Sequence, residues 1–146
     1  KITAFPIVAI YTKEMVLPVY KNPSNTDAYY EKLGNLITKY DQQDLGKELT
    51  FISVGLTNED PQAFIEAEAV ASAYRSFAKE LIKIQVPTPL GTTHLSLANN
   101  YEKVAQSIEG MSKMLVDPLI SMKSIINYKK YTDALVADIE TLSKDL

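Results

Sequence analysis

From Phe64 onward the apolar residues fall in steps of three and four: Phe64, Ala67, Val70, Ala71, Tyr74, Phe77, Ala78, Leu81 and Ile82. That spacing places them on one face of a helix. Asp60-Pro61 opens this helix, with the acid as N-cap and the proline at the first helical position, where a missing N–H leaves no bond unmade. Val86-Pro87 closes it, because a residue before proline is pushed out of helical angles. Thr88-Pro89 opens a second series: Leu97, Ala98, Tyr101, Val104, Ala105, Ile108, Met111 and Leu115. Asp117-Pro118 opens a third: Leu119, Met122, Ile125, Ile126, Leu135, Ile139, Leu142 and Leu146, with Tyr128 and Tyr131 bridging its gap. The link at residues 115–118 is so short that the second and third of these helices must be antiparallel neighbours. Gly110 stands within the second series at a cost of about 1 kcal/mol against alanine, which suits close helix approach.

The first half of the chain is patterned less sharply. Ser24-Asn25-Thr26-Asp27 reads as a helix start, followed at helical spacing by Ala28, Tyr29, Leu33, Leu36, Ile37 and Tyr40. Residues 44–56 read as a further helix with Leu45, Leu49, Ile52 and Leu56 inward. Residues 51–54 alone would also fit a strand, but no partner strand of similar quality is visible. Residues 11–23 hold Pro18 and Pro23 and read as an extended surface segment. No linker rich in Gly or Ser divides the chain, and no repeat of useful length is present. The expected fold is all-α: an antiparallel helical bundle of four to five helices, one domain over residues 1–146, with residues 1–23 extended or partly ordered.

Composition removes several function classes. The 146 residues are 46% hydrophobic and 23% charged, ordinary globular usage for a chain of one-domain length. Cysteine is absent, which excludes disulfide scaffolds, thiolate metal sites and a Cys nucleophile. A single histidine excludes any site needing two imidazoles from one chain. The formal net charge of -3 gives no general drive toward phosphates, so no nucleic-acid partner is expected. The chain begins at Lys1, which reads as a processed or trimmed start. The apolar residues 4–10 are too few to span a membrane. They read either as the remainder after a signal or anchor segment or as a first element packed on the core.

Candidate chemistry is sparse. His94, in Gly91-Thr92-Thr93-His94-Leu95, has two readings: a single ligand or general base, or a histidine hydrogen-bonded near a helix start. Met15, Met111, Met114 or Met122 could place a thioether opposite it, although Met usually fills cores. The Glu-x-x-His pair of di-iron bundles is missing, because Gly91 stands three residues before His94. Glu66 and Glu68 point to different sides of their helix. Asp41 and Asp44 lack a calcium-loop pattern, and the scattered glycines form no phosphate loop. No catalytic residue, metal ligand or cofactor site is therefore expected, and the chain reads as non-enzymatic. Nine tyrosines suit either a bundle edge or an interface. Lys129-Lys130 is a small basic spot that reads as a solvated helix face. A ligand pocket, if present, would form near His94, Tyr101 and Tyr74. An interface would use the segment 11–23 and exposed tyrosines such as Tyr20 and Tyr30.

Val86-Pro87, His94-Leu95-x-Leu97-x-Asn99, Met111, Asp117-Pro118-Leu119, then Tyr128 and Tyr131, together form a pattern. With Tyr11-Thr12 and the helix over residues 27–40 upstream, it resembles a group of uncharacterised secreted or membrane-anchored helical proteins from small-genome bacteria of the candidate phyla. The likeness covers about two thirds of the chain, and its motifs are mostly caps and helix-start residues. It implies an anchor upstream of Lys1, by which alone the chain would meet a membrane, and an extracytoplasmic location. It implies no activity, and it makes His94 and Asn99 pattern positions. The leading expectation is a non-enzymatic extracytoplasmic module that binds another protein, in a cell-envelope or secretion assembly. The alternative is a small-ligand or sensor-type bundle with its pocket near His94. The oligomeric state is not legible in the sequence.

Overall fold

Asparagine and aspartate caps followed by proline set where the helices begin. The computed structural model describes residues 7–144, and the sequence expectations for residues 4–6 and Leu146 lie outside them. Five α-helices are described: α1 (Pro23–Asp41), α2 (Glu48–Asn58), α3 (Pro61–Leu81), α4 (Gly91–Met111) and α5 (Pro118–Ser143). The fold is an all-α helical bundle. Asn22, Asp60 and Asp117 each accept a backbone N–H, from Asn25 at 2.7 Å, Gln62 at 3.0 Å and Ile120 at 3.2 Å, and each precedes a proline. Helix α1 therefore starts earlier than the cap expected at residues 24–27, because Asn22-Pro23 uses the same device. Thr88 differs from its expected role as a cap. Its hydroxyl donates to the Val19 carbonyl at 2.9 Å, residues 88–90 form a 3-10 turn, and α4 begins at Gly91.

Helices α3 and α4 form the central pair. Helix α2 lies on the first half of α3, and α5 runs antiparallel along α4, with Ser121 near Gly110 and Asp138 near Ser96. Helix α1 lies across the second half of α3, where Tyr40 meets the Phe77 ring edge-on. The extended segment before α1 contributes β1 (Pro18–Val19), which pairs in parallel with β2 (Val86–Pro87) ahead of α4. The core follows the expected faces of α3 and α4, with Ala67, Ala71, Ala78, Leu81, Val104, Ala105 and Ile108 all at 0% exposure.

Two faces depart in part from expectation, although Ile52 of α2 and Leu135 and Leu142 of α5 are buried as spaced. Helix α2, which includes residues 51–54, turns Glu48, Ile52 and Gly55 inward and leaves Leu49 and Leu56 exposed. Gly55 explains part of this: a Cβ there would stand 2.8 Å from the Phe64 ring, so only glycine lets the helices approach this closely. In α5 the serines Ser121 and Ser124 are buried, while Leu119, Met122, Ile125 and Ile126 face outward. Ser121 donates to the Gly110 carbonyl at 3.0 Å. Small side chains bring α5 close to α4 here, and the larger ones fall on the opposite side. Leu115 is exposed as well.

Candidate functional site

A slot opens where α1 and α5 diverge over the α3–α4 pair. Its floor is the stacked pair Phe77 and Tyr101, with ring centroids 3.9 Å apart. Leu33, Gly34 and Ile37 of α1 form one wall and Ile139 and Leu142 of α5 the other, around a cavity of about 240 Å³. A second cavity of about 170 Å³ shares Ile37, Phe77 and Tyr101 and continues toward Tyr40, Asp41 and Tyr74. Four aromatic rings thus run in sequence along the floor: Tyr40 against Phe77, Phe77 on Tyr101, and Tyr101 beside Tyr74 at 5.7 Å. One end of the slot is apolar. The other carries one acid, Asp41; the Tyr40 hydroxyl donates to Glu80, which pairs with Lys39 outside the slot. Burial, reinforced by Asp41, pushes the Tyr101 phenol up from its ordinary pKa.

Beyond Tyr74 lies a buried carboxylate. Glu48, 1% exposed, accepts the Tyr74 hydroxyl at 3.0 Å, the Tyr128 hydroxyl at 2.5 Å and the Gly46 N–H at 2.8 Å. Gly46 has φ of 95°, a left-handed geometry that favours glycine. Burial is the main cause, and Glu48 a further one, of the raised pKa values of both phenols. They stay protonated as donors, and the set is closed on itself.

His94 stands apart from the slot. It is fully buried, and its Nδ1 shares a hydrogen bond of 2.9 Å with the Tyr29 hydroxyl. Nε2 makes no well-formed hydrogen bond. Burial lowers its pKa to about 4, although the nearby Leu81 carbonyl favours the charged ring. The imidazole is neutral and locks α1 onto the start of α4. Among the described residues no cluster of three His, Asp or Glu has the geometry to hold a metal ion. The structure therefore brings Tyr74 and Tyr101 together at the slot and places His94 elsewhere. Tyr20 is 87% exposed. Tyr30 is half-buried at the slot's apolar end, with its hydroxyl donating to the Leu142 carbonyl at 2.6 Å.

A further arrangement escaped sequence reasoning. The side-chain amide of Asn99 exchanges two hydrogen bonds of 3.0 Å with the backbone of Tyr11, and that of Gln106 does the same with Val8. Seven residues of helix rise about 10.5 Å, and three residues of extended chain span about 10 Å, so the two repeats match. The segment lies antiparallel to α4 like a strand on a ladder. Beneath it Glu102 accepts from Gln106 at 2.8 Å and from Arg75, which also pairs with Glu109 at 2.8 Å. Hydrogen bonds that Arg75 donates to Glu109, then to Glu102, raise the guanidinium pKa and keep it charged. Two long amides seven apart on one helix were the available signal. For the slot it was Gly34, a glycine inside the helical stripe from Leu33 to Ile37.

The comparisons with protein families, curated proteins and solved structures gave no match. Among the described residues no helix is long and apolar enough to cross a membrane.

Proposed function

We propose that this chain is a non-enzymatic helical module that docks on another protein, outside the cytoplasmic membrane, as part of a cell-envelope or secretion assembly. The outward face of the first half of α5 carries the reading. Met122 is 60%, Ile126 70% and Val116 85% exposed, beside buried Ser121 and Ser124. A run of outward aliphatic side chains of this size marks an interaction surface. Positions 119, 122 and 126 step by three and four, the spacing of a helix–helix seam. Lys113, Lys123, Lys129 and Lys130 stand around it against two acids, Asp117 and Asp133, the second paired with Lys129 at 3.0 Å, so positive charge is still in excess. The partner that fits is an amphipathic helix with an acidic margin. A second copy of the same face would oppose lysines to lysines. The extracytoplasmic placement rests on the resemblance to secreted and anchored bundles.

The test replaces Met122 with a photo-crosslinking residue in the full-length protein in its own cells. One protein adduct is expected, lost on adding Ile126→Asp, weakened by salt, and absent when the probe sits at Glu140 instead. Lipid adducts alone, self-adducts alone, or a pattern indifferent to Ile126→Asp would overturn it. Location is read separately with Tyr20→Cys, the sole thiol in the chain. A membrane-impermeant maleimide should label it in whole cells, and labelling only after lysis would refute an external site.

A further inference from the structure

The slot between α1 and α5 points to a second function, independent of the docking face. We propose that it binds a small amphipathic amine, an ammonium head on an aryl-alkyl or branched-alkyl body. Volume comes first. The apolar compartment, about 240 Å³, exceeds the roughly 150 Å³ in which a dry apolar cavity already holds benzene. Its walls are Leu33, Ile37, Leu97, Ile139 and Leu142 over the Phe77–Tyr101 stack, a surface for an apolar body with no polar requirement to satisfy.

Gly34 is the second observation. Glycine in the interior of a helix is unfavourable, and a close contact usually explains it. Here a Cβ would meet nothing within 4 Å. The missing side chain keeps the mouth of the slot open and serves no helix contact.

The head group is set by the far compartment. Tyr40, Tyr74, Phe77 and Tyr101 line it with Asp41. Aromatic faces with a carboxylate at the rim are the chemistry that recognises an ammonium ion. Charges around it favour the same sign of ligand. Glu80 and Lys39 pair with each other outside the compartment, and Lys39 already covers the Tyr40 ring at 5.3 Å, so Asp41 is the charge left to a ligand. Asp41 has no cationic partner among the described residues, whereas Glu48 is spent on Tyr74, Tyr128 and Gly46 and does not line the compartment. A neutral or anionic head gains nothing there.

Calorimetric titration with 4-phenylbutylamine, 4-phenyl-1-butanol and 4-phenylbutyrate tests this on the intact chain. The amine should bind at one site at least tenfold more tightly than the alcohol, and the butyrate most weakly. Asp41→Asn, at an exposed position, should reduce the amine to the affinity of the alcohol. Gly34→Leu should abolish binding of both while raising the melting temperature, which shows that the fold is retained. Absence of saturable amine binding at millimolar concentration, equal affinity for amine and alcohol, or amine binding that survives Gly34→Leu would each overturn the proposal.

Discussion

Acidification should weaken the fold through His94 before most carboxylates respond. The folded pKa lies at about 4, whereas an exposed imidazole titrates near ~6.5. Between these values the unfolded chain binds a proton that the native state refuses. Stability therefore falls as pH drops, beginning near 6.5 and continuing to the folded pKa. Above that window His94 contributes its full share. A gap of this size is worth about 3 kcal/mol, since each pH unit corresponds to about 1.4 kcal/mol. Charging the ring would place a cation in a buried setting that the Tyr29 hydroxyl and the nearby Leu81 carbonyl answer only in part, with Nε2 left without a well-formed bond. Urea unfolding at several pH values, on wild type and on His94→Gln, isolates the effect. Glutamine cannot titrate but can still accept from Tyr29, and carboxylate contributions cancel in the difference. Wild type should lose about 3 kcal/mol relative to the variant between pH 7 and pH 4. The proton resonance of the lone imidazole should titrate near 4 in the native protein. A native titration at or above the ordinary histidine value, or a difference flat with pH, would refute the reasoning.

Other perturbations test the packing around the site. Arg75→Met should cost about 3–5 kcal/mol, read by chemical unfolding, because Glu102 is only 3% exposed and loses its counter-charge. Gly55→Ala should destabilise by about 1–3 kcal/mol despite its better helix propensity, because the buried Phe64 ring blocks the new Cβ; a stabilised variant would show that α2 is free to shift. Asn99→Ala with Gln106→Ala should speed hydrogen exchange at the amides of Val8 and Tyr11 while leaving the slowest core amides nearly unchanged. Unaltered exchange at those two positions would mean that the ladder does not hold the segment.

The grammar of caps and stripes made α3 and α4 legible. Asp60-Pro61 and Val86-Pro87 frame a stripe from Phe64 to Ile82 that is buried as spaced. Periodicity could not show that α4 is also covered on its polar side. Asn99, Asn100, Glu102, Gln106 and Ser107 are buried, because their partners are an extended backbone segment, a guanidinium, Asp138 and the Lys103 carbonyl rather than water. Hydropathy scores a polar side chain identically in either setting. The slot was half legible for a related reason. Tyr74 and Tyr101 sit on predicted stripes, but the gap above them arises from the divergence of α1 and α5, which no local pattern encodes. His94 was drawn to the pocket by its chemistry, and instead the Tyr29 hydroxyl fixes it at the α1–α4 contact.

Helix α5 shows where stripe reading breaks and why the break carries information. In its second half Leu135 and Leu142 face the core, as the spacing predicts. In its first half the same rule points Leu119, Met122 and Ile126 inward, yet the inward positions hold Ser121 and Ser124. Packing on α4 is served there by small side chains and one hydroxyl bond to Gly110, so core stability does not require the leucine-type residues of that turn. Burying such side chains is worth about 1.5–3 kcal/mol each, and a solitary monomer forgoes that gain. Polar replacements at 119, 122 and 126 should accordingly leave the melting temperature nearly unchanged and improve solubility. A large loss of stability instead would mean that these side chains do close on the bundle, and the docking reading would fall with it.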